Sequence, residues 1–137
     1  IDKLRQMLKH ITSRRPPLDS EEEWRRVTVA NELLREASEP GVRTHVFYDP
    51  KTQQAKVVYQ LKASDNGTYM PYIVSDEKGM GRQMMDDAYF LAPQKPLRLY
   101  AIPGSEPSYR KMGLQERTDD GISEFSRYAR GGLVQMK

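Results

Sequence analysis

The apolar residues at the start of the chain recur with the period of an α-helix. The side chains that share one side of a helix over residues 2–14 are Leu4, Met7, Leu8 and Ile11. Pro16 and Pro17 follow directly, and proline cannot continue a helix. The pattern therefore predicts a short amphipathic helix that ends before residue 16.

A second helical pattern begins in the stretch "DSEEEW". Ser20 is a favourable N-cap and Glu23, three residues later, completes a capping box. The apolar positions at helical spacing, which we predict to pack into the core, are Trp24, Val27, Ala30, Leu34 and Ala37. Pro40-Gly41 is a helix-stop signal.

From residue 42 the period of the pattern changes from 3.6 to 2. Alternation over 42–48 and 55–62 predicts two strands, and residues 68–75 are interpreted as a third. The turn signals "DPKTQQ" and "SDNG" separate them, which indicates an antiparallel meander. Pro71 interrupts the third strand, so that segment is either an edge strand or the site of a bulge.

The second half of the chain alternates strands and helices. A helix follows residue 81, and its inward side chains are predicted to be Met84, Met85, Ala88 and Leu91. The elements predicted after it are a strand at 97–102, a short helix capped by Ser105 and ended by Gly113, and closing strands at 114–118 and 133–136 joined by a long connection at 119–132. This order predicts an α/β or α+β sheet with helices on both faces.

Composition narrows the chemistry. The 137 residues suit one domain, and no stretch is long and apolar enough to span a membrane. Without cysteine there is no disulfide or thiolate nucleophile, and two histidines far apart in sequence disfavour a zinc site. Residues 1–17 carry a net charge of +4 and residues 18–40 a net charge of −4. Such alternation favours solvated charged faces over a continuous nucleic-acid surface.

Two glycines, Gly79 and Gly81, stand between an apolar strand and a helix. Lys78 and Arg82 add positive charge, and the backbone N–H groups from Lys78 to Gln83 would point toward an anion at the helix start. The stretch is neither a Walker loop nor the dinucleotide fingerprint, because the Gly-Lys-Ser/Thr ending and the third glycine are missing.

"YIVSDEKGMGRQMMDDA", followed by "LRLYAI" and "SYRKMGLQ", resembles the GNAT superfamily of acetyl-CoA-dependent N-acetyltransferases. The resemblance covers about residues 20–137 and includes "GGLVQMK", which is similar to the family's last strand. It implies a single domain over 1–137, with residues 1–17 as a basic helical extension. It also implies a mixed, mainly antiparallel sheet of six to seven strands, splayed between the fourth and fifth. Because the sequence begins with Ile, we expect a fragment, a processed form or one domain of a longer protein.

The same resemblance implies an acetyl-CoA site. The residues whose backbone amides would hold the coenzyme pyrophosphate are Lys78, Gly79, Met80, Gly81, Arg82 and Gln83. The pantetheine arm would pair with the backbone of Tyr72, Ile73 and Val74, with Pro71 marking the splay. Asp76 stands where the family has Arg or Gln, and a carboxylate there would repel phosphate unless it turned outward. Leu114 replaces the family's usual Phe.

For catalysis, the resemblance places Tyr109 as the acid that protonates the leaving thiolate. The candidates for the base, each also interpretable as a surface or structural group, are Glu77, Tyr69, His45 and Glu124. The implied reaction is direct acetyl transfer to a primary amine of a protein, an aminoacyl-tRNA or a small molecule, with nucleic acid only as acceptor. Arg127, Tyr128 and Arg130 in the 119–132 connection could contact an acidic acceptor, although a solvated loop is the preferred interpretation.

Two rival functions stay open at this point. One is a GNAT-shaped binding or regulatory domain without turnover, and the other is a basic protein- or RNA-binding module in which "GMG" is only a tight turn. The expected location is the cytoplasm, or a host or target cell if the chain is a secreted effector domain.

Overall fold

The computed structural model describes residues 2–14, 19–76, 81–101, 106–119 and 122–127. The elements in this part of the chain are α1 (Asp2–Ser13), α2 (Ser20–Glu36), β1 (Val42–Tyr48), β2 (Ala55–Ser64), β3 (Gly67–Tyr69), β4 (Ile73–Ser75), α3 (Gly81–Leu91), β5 (Leu97–Tyr100), α4 (Glu106–Lys111), β6 (Gln115–Asp119) and β7 (Ile122–Arg127). The strands form a seven-stranded, mostly antiparallel sheet in the order β1-β2-β3-β5-β7-β6, with β4 paired to β2. This confirms the predicted mixed α/β class.

The chain divides into two compact units. Unit one comprises residues 1–60 and 72–80, and unit two comprises residues 61–71 and 81–137. In unit one, α1 and α2 contact each other and β4. The buried side chains at the centre of this unit are Leu8, Ile11, Leu33, Val58 and Val74. The predicted apolar side of α1 is confirmed, since Leu8 and Ile11 are buried and Leu4 and Met7 pack against them.

The predicted core side of α2 is wrong in its first half. Trp24 is 68% exposed and Val27 is 50% exposed, whereas Leu33 is fully buried. Val29, Ala30 and Leu34 pack beside Leu33. Two overlapping apolar arcs fit the helical period of this sequence, and burial against α1 and β4 selected the arc centred on Leu33.

The predicted N-cap of α2 is also shifted by one residue. The carbonyl of Asp19 accepts the first intrahelical bond, from the N–H of Glu23 at 3.0 Å. Asp19 is therefore the N-cap, and Ser20 is the first helical residue. Both residue types are good N-caps, so the local sequence alone did not discriminate between them.

The predicted third strand consists of two short strands with a bulge at Pro71. Tyr59 pairs with Ile73, and Lys62 pairs with Tyr69. Two residues of β2, 60–61, therefore correspond to three residues, 70–72, on the other side. One extra residue on one side is the definition of a β-bulge. Of the two interpretations of Pro71, the bulge is confirmed.

In unit two, β5 lies between β3, to which it is parallel, and β7, to which it is antiparallel. Among the described residues, the buried apolar side chains of this unit are Leu61, Met70, Met84, Met85, Ala88, Ala92, Leu97, Leu99, Leu114 and Phe125. Leu91, predicted to point inward, is 40% exposed. The helix ends at Leu91, and Ala92 on the departing chain is buried instead.

The prediction of a long connection over 119–132 is wrong. Residues 115–119 and 122–127 are antiparallel strands, with Gln115 opposite Ser126 and Asp119 opposite Ile122. The signal was present in "ISEFSR", where an apolar residue alternates with polar neighbours and Phe125 is fully buried. Arg127 is thus the last residue of β7. Tyr128, Arg130 and the predicted strand at 133–136 lie outside the described residues, as does Ser105.

Candidate active site

The start of α3 supplies the part of the predicted coenzyme cradle that the structure describes. Gly81, Arg82 and Gln83 form its first turn, and the side chains of Arg82 and Gln83 are exposed. The first N–H groups of a helix have no intrahelical partner and carry partial positive charge. No acidic residue lies in this turn, so its backbone suits an anion. Glu77, Lys78, Gly79 and Met80 lie outside the described residues.

Gly81 lies against the segment that follows α4. A Cβ atom added to Gly81 would stand 2.5 Å from Cε of Met112. A side chain at position 81 would therefore displace the end of the Met112 side chain. Met112 is three residues after Tyr109, so the structure brings the start of α3 next to the helix that carries the candidate acid.

Tyr109 is held by the end of α4. Gly113 adopts the predicted left-handed conformation, with φ of 84°. Its N–H bonds to the carbonyl of Arg110 at 3.0 Å, and the N–H of Leu114 bonds to the carbonyl of Tyr109 at 3.2 Å. This pair of bonds is a Schellman motif. The Tyr109 ring lies 5.4 Å from the Phe125 ring, at an interplanar angle of 44°.

The protonation state of Tyr109 suits a proton donor. Burial disfavours the charged phenolate and raises the pKa of Tyr109 to about 12. The hydroxyl therefore carries its proton throughout the neutral range.

This raised pKa gives a stability prediction. The unfolded phenol titrates near pH 10, below the folded value of about 12. The contribution of Tyr109 to stability is then fully present below pH 10 and lost as the pH rises to about 12. We expect the free energy of unfolding to fall by about 2 kcal/mol over that interval through this group. Denaturant unfolding at pH 10, 11 and 12 measures this fall, and Tyr109→Phe should show a smaller one. An equal fall in the variant would contradict the assignment.

The backbone of β4 has two different edges. Gln60 N–H donates to the carbonyl of Tyr72 at 3.1 Å, and Asp76 N–H donates to the carbonyl of Lys56 at 3.0 Å. Bonded pairs alternate along an antiparallel ladder, so the backbone groups of Val74 also face β2. Those of Ile73 point to the opposite edge. Of the three residues predicted to contact pantetheine, Ile73 alone presents its own N–H and C=O away from β2.

Asp76 is buried inside unit one. Its side chain is 1% exposed, and its Oδ2 lies 3.0 Å from Nε of Arg14 and 3.1 Å from Nζ of Lys56. A guanidinium nitrogen of Arg14 also donates to the carbonyl of Ala55. The carboxylate at the position where the family has Arg or Gln is therefore neutralised by two cations, which answers the expected conflict with phosphate.

A polar cleft opens on one face of the sheet in unit two, with a volume of about 370 Å³. The residues that line it are Lys62, Ala63, Ser64, Tyr69, Arg98, Tyr100 and Glu124. Two of the four candidate bases, Tyr69 and Glu124, thus come together. His45 instead lies in unit one, with its ring 5.4 Å from that of Tyr59.

Of the polar residues that line this cleft, sequence reasoning missed Lys62, Ser64, Arg98 and Tyr100. The signal for two of them was the alternation in "LRLY", where Leu97 and Leu99 are buried while Arg98 and Tyr100 face the cleft. Alternation identifies the face of one strand only. Only the pairing of β5 with β3 and β7 shows that these side chains lie together on one face of the sheet.

Glu124 is an ionised and restrained carboxylate. Nε of Arg98 donates to its Oε2 at 2.5 Å. This hydrogen bond, with further help from the charges of Arg98 and Arg117, holds the pKa of Glu124 below its usual value, although burial opposes the effect. Because its pKa is lowered, Glu124 is a weak base. Its hydrogen bond with Arg98 also holds the guanidinium of Arg98 in place.

Comparison with known proteins rests on the fold. No protein-family model and no curated protein sequence matches the chain. The chain does match solved structures. A mutant of the spermidine N-acetyltransferase SpeG from Vibrio cholerae superposes with a TM-score of 0.55 at 12% identity, over 93% of this chain and 90% of that one. A chimera of the Vibrio cholerae enzyme with hSSAT gives a TM-score of 0.54 at 13% identity, over 90% and 91%.

The chain has the GNAT acetyltransferase fold. Within this GNAT fold, the bulge at residues 70–72 interrupts the strand that the sequence resemblance assigned to the coenzyme arm. The glycine-containing helix start and Tyr109 also occupy the elements that the resemblance named. At identities of 12–13%, the similarity to these structures establishes the fold alone. The chemistry of the site has to be argued from the residues of this chain.

The described residues contain no group of three or more His, Cys, Asp or Glu side chains placed to hold a metal ion. Within the same ranges, no helix is long and apolar enough to cross a membrane.

Proposed function

We propose that this chain is an acetyl-CoA-dependent N-acetyltransferase that transfers an acetyl group directly to a primary amine of a protein or small-molecule acceptor. One observation carries the proposal. The start of α3 contacts Met112, three residues after Tyr109, so a backbone that suits an anion lies near the helix that carries a protonated phenol within unit two. The GNAT fold supports the same assignment.

Each unit contains residues that suit one part of the coenzyme. In unit two, the first-turn amides of α3 and the exposed side chain of Arg82 suit a diphosphate, because both are positive and no carboxylate stands in that turn. In unit one, the outward edge of β4 offers the N–H and C=O of Ile73 to a chain that contains amide groups. When bound, acetyl-CoA supplies an acyl group activated as a thioester.

Tyr109 supplies one of the two proton transfers, and solvent supplies the other. The amine attacks as the neutral base, the new C–N bond forms, and the C–S bond breaks. Tyr109 carries its proton at Oη at neutral pH, because its pKa is about 12, and gives that proton to the leaving sulfur as the C–S bond breaks. The proton lost by the amine leaves through solvent, since Glu124 is held by Arg98 with a lowered pKa.

The alternative of a GNAT-shaped domain without turnover was suggested by Asp76. Because Asp76 is ion-paired with Arg14 and Lys56, its negative charge gives no reason to expect weak coenzyme binding. No other observation on the described residues favours that alternative or the RNA-binding module.

Calorimetry with acetyl-CoA tests the coenzyme site. We expect binding by the unaltered protein, and a dissociation constant raised about tenfold in Arg82→Gln, because a charge-assisted hydrogen bond contributes roughly 1.5 kcal/mol. Arg25→Gln is the matched control, since Arg25 is a partly exposed residue of α2 that pairs with Glu21. Its affinity should not change.

A thiol-release assay with a panel of amines then separates an enzyme from a binding domain. Release of free coenzyme A that depends on the added amine supports the transferase. Binding without release would leave only the domain without turnover. If acetyl-CoA at millimolar concentration produces no heat of binding, both are rejected.

A further inference from the structure

We propose that the polar cleft of unit two binds the acceptor, and that this acceptor is a small primary amine which also carries an anionic group and a flat apolar part. The inference rests on the proposed transferase function and adds the substrate class. It separates this chain from the spermidine N-acetyltransferases that share its fold.

The register of the strands gathers the cleft side chains on one face. Lys62 pairs with Tyr69, and Tyr69 pairs with Arg98 on the parallel neighbour. Tyr100, two residues after Arg98, pairs with Glu124. Paired residues of adjacent strands point to the same side of a sheet. The cleft is therefore an ordered array on rigid strands.

The same strands place the candidate acid nearby on the other face. Phe125, which contacts the Tyr109 ring, is adjacent in β7 to Glu124 of the cleft. Successive strand residues point to opposite faces. Acetyl transfer then requires the amine from the cleft and the proton from Tyr109 to meet at the end of β5, where Tyr100 is the last residue.

The charge of the cleft favours an anion. Lys62 and Arg98 contribute two positive charges, and Glu124 contributes one negative charge that is already bonded to Arg98. Lys62 is exposed, and the described residues give it no ion pair. The net charge of the lining is +1. A polyamine would meet repulsion there, whereas a carboxylate or phosphate would find Lys62 as partner.

Two tyrosine rings provide the apolar wall. The ring centroids of Tyr69 and Tyr100 are 5.4 Å apart in an edge-to-face arrangement, with an interplanar angle of 66°. Tyr100 is 49% exposed, so much of its ring is open to a ligand. An aromatic or other flat group can pack on this surface. A volume of about 370 Å³ suits a small molecule.

Matched acceptor pairs test the inference kinetically. Phenylalanine and phenethylamine differ by a carboxylate, and tyramine O-phosphate and tyramine differ by a phosphate. We expect kcat/KM to be at least about tenfold higher for the anionic member of one or both pairs. The pair that shows the difference tells whether the cleft prefers a carboxylate or a phosphate. Spermidine should be the poorest acceptor. Each rate is divided by the fraction of the amine that is unprotonated at the assay pH, so that differences in amine pKa do not enter the comparison. Equal rates within both pairs, or a preference for spermidine, would overturn the proposal and leave the transferase intact.

Lys62→Gln should raise KM about tenfold for the preferred anionic amine and leave its neutral counterpart unchanged. Lys51→Gln is the control, because Lys51 is exposed in the turn between β1 and β2. An equal effect of both variants, or of Lys62→Gln on both members of the pair, would reject Lys62 as the anion partner and with it the proposal.

A binding measurement separates failure of this inference from failure of the transferase. NMR titration follows the ring signals of Tyr69 and Tyr100 with phenylalanine, phenethylamine, tyramine O-phosphate and spermidine, without coenzyme. Shifts with an anionic ligand that disappear in Lys62→Gln support the cleft assignment even if no acetyl transfer occurs. If the anionic ligands cause no shifts, the assignment is wrong.

Discussion

Replacing Tyr109 with phenylalanine is expected to lower kcat about 100-fold, the usual contribution of a positioned general acid. The substitution removes only the hydroxyl, so the ring contact with Phe125 at 5.4 Å is kept. The coenzyme is held elsewhere in the proposal, by the α3 start, so its dissociation constant should change by less than about twofold. Steady-state kinetics and calorimetry on the same preparations measure the two quantities.

Tyr48→Phe is the matched control. Tyr48 ends β1 in unit one and is 46% exposed, so loss of its hydroxyl should alter neither quantity. A Tyr109→Phe variant with kcat within about twofold of the parent would remove Tyr109 from the mechanism. The pH dependence adds a second check. The pKa of about 12 keeps the acid protonated, so the parent should show no alkaline loss of kcat from Tyr109 below about pH 11.

Replacing Asp76 with alanine is expected to destabilise the protein by about 3–5 kcal/mol, the usual result when one partner of a buried ion pair is removed. The carboxylate is 1% exposed and contacts both Arg14 and Lys56. Its loss would leave two partly buried cations without their anion. Denaturant unfolding at pH 7 measures the change.

Asp2→Ala is the comparison for Asp76→Ala. Asp2 pairs with Arg5 at 3.1 Å, but its side chain is 94% exposed. Such surface pairs contribute roughly 0–1 kcal/mol. A second variant isolates the cause, since Asp76→Ala combined with Lys56→Met should recover part of the loss by removing one uncompensated cation. A loss below about 1 kcal/mol in Asp76→Ala would show that the cluster is not a structural anchor.

The candidate site was accessible to sequence reasoning only in part. The helix start at residues 81–83 and Tyr109 were predicted from the motifs that carry the family resemblance, since both motifs are contiguous in sequence. Ile73 was recognised as part of a segment, but which residue points outward follows from its pairing with Tyr59. The cleft was recognised only as separate candidate bases, because its side chains come from β2, β3, β5 and β7.

The sequence by itself determined what the local backbone controls. The span of α1, the turns after β1 and β2 and the left-handed Gly113 each follow from residues within a few positions of one another, because proline, glycine and side-chain caps restrict φ and ψ directly. The alternation of buried and exposed residues in β5 is equally local.

The tertiary structure alone decided every feature that joins distant segments. It selected Leu33 rather than Trp24 for the core, paired Asp76 with Arg14, and set Lys62 beside Tyr69 and Arg98. These outcomes depend on strand register and on helix packing against the sheet. Both are fixed by the burial of apolar surface summed over many residues, which no single stretch of sequence contains.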